Sequence, residues 1–230
     1  MRSAVAEVRL ARVTWRPCWR IIPSRYPPIQ LFERVAQPSD LDALFELEAM
    51  TNDRLRDAVG ELSLVAPEDR LIGPNASIAM APFTHLNPTG GRFSDANHGA
   101  YYAARDLPTA VAETRHHRGR FLAATREAPM ALDMRAYLAD FSTRLHDVRK
   151  REPSDPIYHP EDYAASQAFA RTLRDHGSDG IVYHSVRRSG GQCVALFRPR
   201  LLSNIRLGPR LIYKWDGETI AEVLETSEIK

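Results

Sequence analysis

Several things are scarce in this 230-residue chain. It has two cysteines, Cys18 and Cys193, far apart and without a CxxC pair, so neither a thiolate zinc site nor a disulfide framework is expected and a reducing compartment is. No run approaches the roughly 20 apolar residues of a membrane-spanning helix. Glu7, Arg9 and Arg12 interrupt the N-terminal stretch early, against a signal peptide. The expected location is the cytoplasm. Net charge is also nearly absent: 31 basic against 29 acidic residues leave +2, which gives no global pull toward nucleic acid or an anionic membrane. Any anion site must be local. GxGxxG and GxxxxGK are both missing, against a Rossmann dehydrogenase or a P-loop enzyme, and there is no internal repeat. With 43% hydrophobic residues the chain has the apolar material for one ordinary folded domain spanning 1–230.

The elements present are mixed. Trp15, Trp19, Ile21 and Ile22 give residues 13–22 a β-leaning pattern that ends at Pro23. Pro27 and Pro28 then stiffen the loop carrying Arg25 and Tyr26. Ser39 is a candidate N-cap for a helix to about Arg56, with Leu41, Leu44, Phe45 and Leu47 on its apolar face. Residues 66–91, rich in Pro, Gly, Asn and Thr, read as a long loop. With the preceding helix they form an insertion over about 35–90. A short strand is expected over 99–104, then a helix over about 107–118 capped by Asp106 with Pro108 in its first turn.

Met130, Leu132 and Met134 alternate like a strand, and residues 160–176 read as a helix with Ala165, Phe169 and Leu173 inside and Gly177 at its C-cap. Residues 181–186 and 193–197 flank Ser189-Gly190-Gly191 as a hairpin, and 212–215 before Asp216-Gly217 suggest another strand and turn. Strands outnumber helices without strict alternation, so the class is α+β, a β core with flanking helices.

The chemistry concentrates in GGRFSDANHGAYYAARDLPTAVAETRHH, residues 90–117. Two glycines allow a tight turn before Arg92, whose planar guanidinium suits phosphate. Tyr102 follows on the strand and Glu113 on the next helix, and a strand-turn-helix passage can bring the three to one cleft. Taken singly, each also fits a plainer role: a surface ion pair for Arg92, core packing for Tyr102, a solvated helix position for Glu113. His116-His117 invites a metal reading, but neighbouring helix residues point about 100° apart rather than along one face. No metal is expected. Arg149-Lys150-Arg151 and Arg187-Arg188 read as solvated or partner-facing clusters rather than a nucleic-acid site.

In order, GRFS, YYAA and TAVAE resemble the core signature of the RES domain, a family of bacterial toxin–antitoxin toxins. WRIIPSRYPP resembles the family's opening strand with its Arg-Tyr element, here Arg25 and Tyr26, and IVYHSVRRSGGQCVALF its later strand with the family serine, here Ser185. One departure is that Phe93-Ser94 stands where the family usually has Trp-Asn. The resemblance implies an ADP-ribosyltransferase-like fold that uses NAD+ as substrate. It further implies cleavage at the nicotinamide–ribose bond, with the acceptor of ADP-ribose left open among water, phosphate and a target protein.

On that resemblance Glu113, Arg92 and Tyr102 are the candidate catalytic residues, and Arg25, Tyr26 and Ser185 the candidate substrate-binding ones. A carboxylate suits the oxocarbenium-like ribose that cleavage produces, and guanidinium groups suit the pyrophosphate. The family implies an Xre-like antitoxin as partner. A non-catalytic nucleotide-binding module is the alternative.

Overall fold

The computed structural model describes residues 8–24, 32–33, 37, 41 and 60–226. Seven strands form a mixed sheet: β1 (Leu10–Pro23), β2 (Tyr101–Ala104), β3 (Met130–Asp147), β4 (Gly180–His184), β5 (Gln192–Leu196), β6 (Ser203–Trp215) and β7 (Ile220–Thr226). Their order is β1-β2-β5-β4-β3-β6-β7, and β1 pairs with β3 as well. Five strands therefore close on themselves, and β6 and β7 extend the sheet from β3. Every pairing is antiparallel except β3 with β4, so the class is α+β.

Three α-helices that lie wholly within the described residues accompany the sheet: α1 (Ala76–Thr84), α2 (Leu107–Thr125) and α3 (Ala164–Asp175). α1 corrects the expectation of a loop over 66–91. Pro82 lies inside this helix, and Ala76, Ala79, Met80 and Phe83 are all buried. A short helix buried on most sides shows no amphipathic period, and its prolines and flanking glycines read as punctuation. The helix expected from Ser39 lies outside the described residues, apart from Leu41, which is fully buried.

α2 is capped as its sequence predicts: the Asp106 carboxylate accepts the Thr109 N–H at 2.8 Å and the Thr109 hydroxyl at 2.7 Å. It runs to Thr125 rather than 118. α3 starts at Ala164, later than expected, and closes at Gly177, where Gly177 N–H bonds Arg174 O and Ser178 N–H bonds Leu173 O. Its buried positions are Ser166, Ala170 and Leu173, and Phe169 packs partly buried against the apolar core, so Leu173 and Phe169 face inward as expected while Ala165 is exposed.

Strand alternation splits the interior into two apolar cores. Val182, Val194 and Leu196 point into one with Trp15, Tyr101, Phe141 and α1. Ile181, Tyr183, Cys193 and Ala195 point into the other with Phe93, Leu173 and Tyr213. Both faces of β4 and β5 are covered, which is why IVY and CVALF carry no polar alternation. β1 changes allegiance midway. Val13 and Trp15 face the first core, the register with β3 shifts between Trp15 and Cys18, and beyond the shift Trp19 and Ile21 face the second. A one-residue bulge reverses every later side chain. It turns Trp19 toward the functional cavity.

Candidate active site

A cavity of about 200 Å³ opens on the face of the second core. Its floor is a cross-strand row. Trp19 of β1 pairs with Ala104 of β2, Ala104 with Cys193 of β5, and Cys193 with Tyr183 of β4, and all four line the cavity. One wall is α2, which contributes Ala110, Glu113, Thr114 and His117. That spacing is i, i+3, i+4, i+7, one helix face, with polar side chains where an ordinary core helix carries apolar ones. Thr114 fixes the wall to the sheet through a 2.6 Å hydrogen bond with the Tyr213 hydroxyl.

The Gly90-Gly91 turn brings Arg92 to the opposite side. Gly90 has φ +67°, a conformation L side chains avoid. A Cβ on Gly91 would stand 2.9 Å from the Tyr102 hydroxyl and 3.1 Å from Ser94 Oγ, so the Tyr102 hydroxyl would have to move. The reason is a compact knot. The Tyr102 hydroxyl accepts the Phe93 N–H at 2.8 Å and donates to Ser94 Oγ at 3.0 Å, while Gly91 and Ser94 exchange backbone hydrogen bonds. Ser94, at the departure from the family pattern, thus serves the tyrosine. Phe93 beneath is fully buried, edge-on to Tyr183 at 4.9 Å.

Arg92 is 8% exposed. One of its terminal nitrogens, Nη1, donates to Ile157 O at 2.9 Å and His159 O at 2.8 Å, and the guanidinium lies 4.9 Å from the Tyr163 ring centroid. These contacts hold the group in place, and among the described residues Nη2 and Nε have no hydrogen-bond partner. Arg20 of β1 also borders the cavity, but alternation turns its side chain to the first-core face, between the inward-facing Trp19 and Ile21. It donates to Tyr102 O at 3.0 Å and lies over the Tyr101 ring. Its Nε is buried without a partner, and burial lowers its pKa.

Glu113 is held from one side. Its Oε1 accepts the Ser185 hydroxyl at 2.6 Å, with the Cys193 thiol 3.8 Å away. Ser185 in turn accepts the N–H groups of Arg187 and Arg188 at 3.1 and 3.0 Å, so the turn after β4 aims its hydroxyl at the helix. Burial pushes the Cys193 thiol pKa well up, and the neighbouring Glu113 adds to this. The thiol is therefore a poor nucleophile. Burial likewise raises Tyr102 and Tyr183.

Arg92, Tyr102 and Glu113 thus share one cavity, and Ser185 touches it only through Glu113. Arg25 and Tyr26 lie outside the described residues. Sequence reasoning missed Arg20, Trp19, Tyr163 and His117. For His117 a signal existed: it stands four residues, one helical turn, after Glu113. For Arg20 the signal was a charge inside the apolar run Trp19-Ile21-Ile22.

Among the described residues the cavity of this α+β domain is lined by aromatic rings, one carboxylate and one inward guanidinium, that of Arg92, a lining of the kind that suits a small-molecule ligand. The RES domain profile matches residues 67–216, and the chain belongs to the RES domain family. A Sinorhizobium fredii protein described as "Uncharacterized protein y4oC" is 34% identical over 204 residues, 88% of this chain and 84% of that protein. The toxin–antitoxin complex MbcT-MbcA of M. tuberculosis supplies a solved chain with 9% identity and a TM-score of 0.46, covering 90% of this chain and 87% of that one. That likeness is too distant to carry an inference.

Proposed function

We propose that this protein binds NAD+ in the cavity and breaks its nicotinamide–ribose bond. The observation that carries the reading is that Glu113, anchored by Ser185 through one oxygen, shares a cavity with Arg92 and the rings of Trp19, Tyr102 and Tyr163. In the reaction, the glycosidic C–N bond breaks and its electron pair returns to the pyridine nitrogen, which becomes neutral nicotinamide. The positive charge moves to the ribose at C1′. Glu113 Oε2, which has no hydrogen-bond partner among the described residues, faces that charge and stabilises it. The acceptor then bonds to C1′ and loses its proton.

The nitrogens of Arg92 that have no partner among the described residues suit the pyrophosphate oxygens, each such bond worth about 1.5–3 kcal/mol. Aromatic side chains suit the nicotinamide face. Ser185 acts by orienting the carboxylate. No acyl-transfer nucleophile is required, because the leaving group is already a cationic pyridinium.

In the cell this activity makes the chain a toxin, held in check by an Xre-like antitoxin. Depletion of NAD+ by water or phosphate, or mono-ADP-ribosylation of a target protein, arrests growth. NAD+ is mixed with wild-type protein and Glu113→Gln, and nicotinamide is quantified by mass spectrometry. Release by wild type and a loss of about 10²-fold or more in the variant is expected. Binding without release from folded wild-type protein would reduce the chain to a nucleotide-binding module. Label from adenine-labelled NAD+ on a protein band identifies transfer to protein, whereas label in small molecules alone identifies water or phosphate.

A further inference from the structure

We infer that His117 is a substrate-contacting residue that takes up a proton when the pyrophosphate of the dinucleotide binds beside it. This rests on the NAD+ reading above. The geometry starts from the helix. His117 lines the cavity on the α2 face that carries Glu113, and i, i+4 neighbours lie about 5–6 Å apart at Cβ. Its ring stands at the mouth, in edge contact with His116 at 5.3 Å.

Around it stand three arginines, each with a partner, and the imidazole of His116, whose pKa burial lowers. Arg120 of α2 pairs with Glu161 at 2.5 Å. Arg187, from the turn between β4 and β5, donates to Pro160 O and reaches Glu161 at 3.5 Å. His116 stands 3.6 Å from the same carboxylate. Arg92 is held by two carbonyls. Among the described residues His117 has no hydrogen-bond or ion-pair partner. The remaining polar residues lining the cavity among those described are Thr114 and Glu113 of α2, Tyr163 from the segment before α3, Arg20 of β1, Tyr102 of β2, Tyr183 of β4 and Cys193 of β5. Glu113 is the one acid among them, and it already bonds Ser185.

Among the described residues the one carboxylate on the cavity side is therefore that of Glu113, whose Oε1 is taken by Ser185, against the guanidinium groups of Arg92, Arg120 and Arg187. His117 as a whole residue is exposed; desolvation where it lines the cavity, followed by the charges of His116, Arg187, Arg120 and Arg92, lowers its pKa to about 4. In the empty cavity the ring is neutral at physiological pH. A pyrophosphate bridging Arg92 and His117 reverses the balance: its negative charges offset the surrounding cations and accept a hydrogen bond from either ring nitrogen, so the bound state favours imidazolium. A group whose pKa is higher in the complex adds affinity as pH falls toward the complexed value. If binding restores an ordinary histidine value of about 6.5, affinity rises about 30-fold between about pH 7.5 and pH 5.

The test is calorimetric titration of NAD+ into the Glu113→Gln protein, which avoids turnover, at about pH 6 in MES and in Bis-Tris. These buffers differ in protonation enthalpy. The expected result is a binding heat that differs between them by the equivalent of about three quarters of a proton taken up. That difference disappears when His117→Gln is added, while NAD+ still binds several-fold more weakly, and survives when His116→Gln is added instead. A buffer-independent heat, or a proton that follows His116, overturns the inference and leaves the NAD+ reading intact. Absence of any NAD+ binding to the folded Glu113→Gln protein overturns both. His117→Gln in the wild-type background separates this role from a packing role: KM for NAD+ loses its improvement toward acid pH, while melting temperature stays within about 2 °C.

Discussion

Replacing Ser185 by alanine tests whether the reaction depends on how Glu113 is aimed. The hydroxyl makes three hydrogen bonds: it donates to the Glu113 carboxylate at 2.6 Å and accepts two backbone N–H groups at 3.1 and 3.0 Å. A bond to a charged group is worth about 1.5–3 kcal/mol and a neutral one about 0.5–1.5 kcal/mol. Ser185 is half-buried, so water recovers part of each, and a net loss of about 1–3 kcal/mol follows. For a chain of this length each kcal/mol lowers the melting temperature by about 2–4 °C. The catalytic loss should be larger in proportion. Without the hydroxyl, Glu113 retains only the weakly donating Cys193 thiol at 3.8 Å, and its carboxyl group is free to rotate. A displacement of about 1 Å at a reacting group costs on the order of 10²-fold. The expected result is kcat for nicotinamide release down about 10–100-fold. KM should change less than about threefold, because the guanidinium and aromatic contacts remain. Ser185→Thr, which keeps the hydroxyl, should recover most of kcat. Wild-type kcat in a folded Ser185→Ala protein would refute the orienting role.

Tyr102→Phe leaves the Phe93 N–H without its partner, so a stability loss of about 1–3 kcal/mol is expected by denaturant titration. KM for NAD+ should rise about 3–10-fold as the Arg92 turn loosens; unchanged stability would show that the knot is dispensable. Gly91→Ala should break the same knot by displacing Tyr102 from 2.9 Å. The Gly91→Ala/Tyr102→Phe pair should therefore cost at least about 0.5 kcal/mol less than the sum of the single changes, measured as a double-mutant cycle.

Much of the scaffold follows from local chemistry. The Asp106 cap, the hairpin about Gly190-Gly191 and the close of α3 at Gly177 each depend on a few adjacent residues whose backbone preferences act wherever they stand. α1 does not, because its burial on most sides removes the period by which a helix is read. Nor does the extent of β3 beyond Met134: its pairing with β1 on one edge and β6 on the other brings together residues remote in the chain.

For the site, the strand-turn-helix passage made it possible for Arg92, Tyr102 and Glu113 to meet, since consecutive elements pack together, but it was the resemblance of GRFS, YYAA and TAVAE to the RES signature that nominated them. What each does was decided in three dimensions. The Tyr102 hydroxyl closes the arginine turn, Ser185 reaches Glu113 rather than open space, and the β1 bulge places Trp19 in the floor. His117 is the plainest case. Its neighbours in sequence supply some of its charge environment, but Arg92 and Arg187 arrive from distant segments. Electrostatic influence follows distance through space, and only folding sets that distance.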